Sequence, residues 1–70
     1  MKTLSVEMIR HMFPEGCNVV CDHMSDPYRP VPAGTKGTVS YVDDIGNIHV
    51  KWENGSSLSL IYGEDKFHKI

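Results

Sequence analysis

The chain has 70 residues, 40% of them hydrophobic and 23% charged, with seven Lys+Arg against nine Asp+Glu and a formal net charge of -2. That length allows one domain with a small core, since a chain of this size hides only about 60% of its unfolded surface. The composition is too apolar for disorder and too polar for a membrane span, and the acidic balance argues against generic, charge-driven nucleic-acid binding.

Met1 to Glu7 holds no apolar run long enough for a leader, and nothing later could cross a bilayer, so the expected address is cytoplasmic. Leu4, Met8 and Met12, with Ile9 and Phe13, form one helical apolar stripe that Ser5 can cap and that Pro14 and Gly16 end. The texture then turns to β. Residues 17–24 read as a strand with Val19 and Cys21 on one face and Val20 on the other. Cys17 and Cys21 would lie about 13 Å apart along a strand, beyond the reach of a disulfide, so both read as small buried hydrophobes.

Ser25 to Gly34 carries Pro27, Pro30 and Pro32, which remove amide donors and make it a semi-rigid loop. Thr38–Val42 is the next strand, followed by a turn at Asp43-Asp44-Ile45-Gly46-Asn47. In Ile48–Trp52 the residues Ile48, Val50 and Trp52 face in, and His49 and Lys51 face out. Asn54-Gly55 predicts a type I′ hairpin turn, with positive φ at both residues, and Ser57–Leu60 as the return strand. A turn at Tyr62-Gly63-Glu64-Asp65 leads to a last strand, Lys66–Ile70.

The expectation is a mainly β single domain over 1–70. A short N-terminal helix within 1–14 precedes a small SH3-like five-stranded β-barrel over 15–70, curled to hide its edges. The proline loop takes the place of that fold's long first loop.

Three linked motifs carry a family resemblance. They are Asp26-Pro27-Tyr28-x-Pro30-Val31-Pro32-x-Gly34-Thr35-x-Gly37-Thr38-Val39, Val42-Asp43-Asp44-x-Gly46-x-Ile48-His49-Val50-x-Trp52, and Asn54-Gly55-Ser56-Ser57-Leu58. Over residues 12–70 the chain resembles the DUF4314 family, small proteins or modules of bacteria, phages and mobile elements. It departs from the family pattern at Tyr62, where proline is common. The resemblance implies no catalytic residue.

Tested as chemistry, Gly34-Thr35-Lys36-Gly37-Thr38 fails as a phosphate loop of an NTPase, because the spacing is wrong and a strand follows. It remains a candidate anion cradle, with glycine amides approaching an anion and Lys36 and Arg29 supplying charge. Cys21, His23 and His49 lack the paired spacing of a metal site. A nucleophile made from Cys21 and one of His11, His23, His49 or His68 lacks the cationic setting that lowers a thiol pKa. Asp43 and Asp44 read as turn residues. No catalytic residue, metal or cofactor is expected, and the chain reads as non-enzymatic.

The leading expectation is a small-ligand binder that takes an anionic or nucleotide-like molecule between protomers of a homo-oligomer. The expected site is Tyr28, Arg29, Pro30, Gly34, Thr35, Lys36 and Gly37. Given the apparent setting of the resembled family, such a protein could be phage-encoded and sequester a nucleotide-type host defence signal in the bacterial or infected cell. The alternative is an SH3-like module that binds a protein or a nucleic acid through its loops, with Arg29, Lys36 and Lys51 as a local basic patch.

Overall fold

The computed structural model describes residues 5–25, 28 and 30–70. Leu4, Asp26, Pro27 and Arg29, singled out above, lie outside the described residues. The helix α1 spans Val6–Met12, and the strands are β1 (Asn18–His23), β2 (Lys36–Val42), β3 (Asn47–Trp52), β4 (Leu60–Ile61) and β5 (Lys66–Lys69).

Ser5 caps α1 as its type requires: in extended conformation, its side-chain oxygen accepts the Met8 amide at 3.2 Å. The face that packs is not centred on Met8. Ile9 and Phe13 are buried, with Val6 and Met12 against them, whereas Met8 is 51% exposed. Arg10 sets this rotation. Its Nε donates to the Val42 carbonyl and its Nη2 to Asp44, both at 3.2 Å, which clips the helix to the β2–β3 turn.

The five strands form one antiparallel sheet in the order β4-β3-β2-β1-β5. β4 and β5 are consecutive in the chain yet occupy opposite edges. A flat sheet would hold those edges about 19 Å apart, while the five steps from Ile61 to Lys66 reach at most about 17 Å fully extended. The turn is far from extended, since the Glu64 and Asp65 amides both donate to the Ile61 carbonyl at 3.0 Å. The sheet must therefore curl. Its ladder nonetheless stays open between β4 and β5 and does not close into a hydrogen-bonded barrel. Side chains fill the seam instead: Phe13 packs on Phe67 with centroids 5.1 Å apart, and Tyr62 lies 6.3 and 6.5 Å from those two rings. Tyr62, the departure from the family pattern, thus belongs to an aromatic cluster.

The concave face holds the core expected from the alternation. Val19, Cys21, Val39, Ile48, Val50, Trp52 and Leu60 are all buried, joined by Met24 just before the proline loop and Val31 within it. Gly37 lies under Trp52. A Cβ there would fall 2.5 Å from Val50 Cγ1 and 2.7 Å from Trp52 Cε3, so only glycine lets the indole approach β2 this closely.

Two expectations about the second half are corrected. At Asn54-Gly55 only Gly55 has positive φ (89°), and the Gly55 amide donates to the Trp52 carbonyl, so Glu53 and Asn54 are the central turn residues and Gly55 follows in the left-handed region. This is a three-residue loop, not type I′. The return strand is only Leu60–Ile61, because Trp52 Nε1 takes the Leu58 carbonyl at 2.9 Å and draws residues 57–59 out of the ladder.

Candidate ligand-binding groove

The proline loop is tied down by sulfur and amide groups within it and just before it. Cys21 Sγ donates to the Val31 carbonyl and the Val31 amide donates to Met24 Sδ, each at 3.4 Å. The Gly34 amide donates to the Cys21 carbonyl at 2.7 Å, and the Cys21 amide to the Thr35 carbonyl at 2.9 Å. Ser25 is held from the other side by Asp65, whose Oδ1 accepts both the Ser25 amide and hydroxyl at 2.9 Å. The other oxygen, Oδ2, accepts the Ile61 amide at 2.8 Å. Burial pushes this carboxyl up, but the hydrogen bonds from Ser25 and Ile61 outweigh it and hold it below the usual carboxylate range. Asp65 is the one buried charged side chain among the described residues, and it fastens the start of the loop to β4.

With its ends fixed, the loop forms one wall of an open groove. The opposite wall is the 54–61 segment that Trp52 holds off the ladder. Two adjoining depressions share Leu58. One, of about 420 Å³, lies between Met24 and Tyr28 on one side and Ser59 and Ile61 on the other, with Glu64 and Asp65 at its end. The second, of about 640 Å³, lies between Pro30 and Pro32 and the turn at Asn54 to Ser57. Tyr28, at the rim, is 89% exposed.

The expected site residues separate in space. Tyr28 and Pro30 line the groove. Gly34 adopts φ 90° and closes the loop, but its amide is spent on Cys21. The Thr35 amide and hydroxyl both donate to the Pro32 carbonyl, at 3.1 and 2.7 Å. The Gly34 and Thr35 amides are thus bonded within the protein and are not directed at an anion. Lys36 is exposed at the start of β2, while Gly37 is a packing residue beneath Trp52. Met24, Leu58, Ile61 and Asp65, absent from the expected set, complete the groove. An acidic residue just after Gly63-Glu64 reads as part of a surface turn, and nothing local marks it as buried.

The cysteines and the carboxylate-bonded histidines lie outside the groove lining. Burial raises the thiol pKa of both Cys17 and Cys21, which are free cysteines. His68 Nδ1 lies 2.8 Å from Asp22 Oδ2, and His49 Nε2 lies 2.9 Å from Asp43 Oδ2. Among the described residues no group of three His, Cys, Asp or Glu could hold a metal ion, and no helix is long and apolar enough to cross a membrane.

The DUF4314 family, a domain of unknown function, matches residues 2–70. The chain belongs to the DUF4314 family. Neither the curated proteins nor the solved structures provide a match. The functional reading of this DUF4314 chain therefore rests on its own geometry, above all on the groove between the proline loop and the 54–61 segment.

Proposed function

We propose that this DUF4314 protein is a non-enzymatic binding module that takes an extended peptide segment along the groove between its proline loop and residues 54–61. The observation that carries the reading is the pair of adjoining depressions on either side of Leu58. They are open along their length, walled by Tyr28, Pro30 and Pro32, and bordered by Ser56, Ser57 and Ser59. Proline-rich or other extended chains bind such aromatic- and proline-walled grooves with little loss of conformational freedom. The strand order, a meander whose last strand returns beside its first, supports an SH3-like architecture, in which loops flanking the curled sheet bind ligands.

A second reading is a nucleotide-type anion bound, and so sequestered, at Tyr28, Arg29 and Lys36. The solvent-facing Tyr28 ring and the exposed Lys36 favour it. We place it second because the Gly34 and Thr35 amides are already bonded within the loop.

Isothermal titration with a pool of short proline-rich peptides, and separately with a mixture of nucleoside phosphates, tests the order. The peptide pool should bind and Tyr28→Ala should weaken it about tenfold, the loss of about 1.4 kcal/mol. Heat with nucleoside phosphates alone, abolished by Lys36→Ala, would reverse the two readings. No heat with either ligand would remove both.

A further inference from the structure

We propose that the solvent face of β2 and β3, centred on Tyr41 and His49, is a base-stacking platform for single-stranded nucleic acid. It is a site separate from the groove, with which it shares no residue. A register shift in β2 sets up this face. Strict alternation along β2 from the buried Val39 would turn Ser40 outward and Tyr41 into the core. The β2–β3 register instead shifts between Val39 and Tyr41, so Ser40 and Tyr41 both face outward before Val42 returns to the core. A bulge of this kind interrupts the ladder and re-aims a side chain. Here it places a large aromatic ring in solvent, 55% exposed, although a core of this size could use it.

The ring is also rigidly held. Tyr41 pairs with His49 across the ladder, and the two rings stack with centroids 4.3 Å apart and planes 5° from parallel. His49 is fixed in turn by Asp43. The carboxylate can only accept, so Nε2 carries the proton in this 2.9 Å bond. The other Asp43 oxygen accepts the Ile45 and Asn47 amides at 3.1 and 2.9 Å. The hydrogen bond from His49, chiefly, keeps the Asp43 carboxyl below its usual range, so the brace is present at neutral pH. A stack pre-ordered in this way presents a flat π surface that pays little entropy on meeting a base.

The neighbours on this face suit a polynucleotide. Lys51 lies two residues from His49 on the same side of β3, about 6.6 Å along the strand. It is paired with Thr38, whose hydroxyl bonds Asn18 at 3.1 Å, which gives a cation and polar groups beside the rings. Lys36 is one row further, but the Glu53 amide donates to its carbonyl, which brings an acidic residue opposite it, so Lys51 is the phosphate contact we assign. Of the nearby carboxylates, Asp43 is bound to His49 and Asp44 to Arg10. Base stacking supplies affinity that does not depend on a strongly basic surface, and so it is compatible with a net charge of -2.

Fluorescence anisotropy with labelled oligo-dT and oligo-U of about eight nucleotides, and a duplex of equal length, tests the proposal. The single strands should bind at low salt and more tightly than the duplex. Tyr41→Leu should weaken binding roughly 5- to 150-fold, the loss of one stacked base, while Tyr41→Phe should retain it. Lys51→Gln should reduce the salt slope by about 1. Circular dichroism of each variant confirms the fold. Absence of single-strand binding at low salt would overturn the proposal. So would a folded Tyr41→Leu variant that binds as the parent does, or a preference for the duplex.

Discussion

Gly37→Ala separates a packing glycine from a ligand-binding one. The added methyl would sit 2.5 Å from Val50 Cγ1, 2.7 Å from Trp52 Cε3 and 3.1 Å from the Lys51 carbonyl oxygen. Val50 and Trp52 are each 3% exposed, and Trp52 is held through its indole nitrogen by Leu58, so neither can step aside cheaply. Overpacking of this kind costs about 1–3 kcal/mol. For a domain of this size each kcal/mol lowers Tm by about 4–8 °C, so the expected loss is roughly 4–24 °C. Gly34→Ala is the natural comparison: no atom lies within 4 Å of its would-be Cβ, and the cost comes from φ 90° alone, about 1–2 kcal/mol. Thermal denaturation followed by circular dichroism, with Trp52 emission of the folded state, distinguishes the two. Gly37→Ala should shift the Trp52 spectrum; Gly34→Ala should leave the spectrum alone. A Gly37→Ala variant as stable as the parent with an unaltered Trp52 spectrum would refute the packing argument.

Val50→Asp should abolish folding, as read by circular dichroism, because it places an unpaired charge in a core from which Val50 is 3% exposed. Asp65→Asn should cost about 1–3 kcal/mol in urea denaturation, since an amide cannot accept from both Ser25 and Ile61 without turning a donor toward a donor. The Asp65 carboxyl is held below its ordinary value, so its contribution is complete above the unfolded pKa of about 3.9 and is lost as pH falls through that value toward the lower folded one. Urea midpoints should therefore drop on acidification, in the same direction for the lowered Asp43, and the Asp65→Asn variant should show a shallower drop.

What was legible in the sequence was carried by short-range periodicity. Ile48, Val50 and Trp52 alternate because β3 has a clean period of two, and all three are buried. Ser5 caps α1 because its type and place suffice. The misses share a different cause, in that each was decided by a side-chain hydrogen bond that helix and strand periodicity does not encode. The helix turned on Arg10 reaching Val42 and Asp44, more than thirty residues away. Leu58 left the ladder for the Trp52 indole. Asp65 is buried because Ser25, forty residues earlier, donates to it twice. For the proposed groove, Tyr28, Pro30 and Pro32 stood out in the sequence, and they line one wall of it. The facing wall, Leu58 and Ile61, reads as ordinary strand residues until the sheet curls. The glycines of 34–37 suggest an anion cradle from spacing alone, but the direction of the Gly34 and Thr35 amides depends on where Cys21 and Pro32 offer carbonyls.

The central claim, a peptide in the groove beside the proline loop, is tested most directly by amide chemical-shift mapping of the isotopically labelled chain during titration with the proline-rich peptide pool. Saturable shifts are expected at Tyr28, Leu58, Ser59 and Ile61, with Tyr41 and His49 unmoved. Shifts confined to other surfaces, or no shifts at saturating peptide, would contradict it.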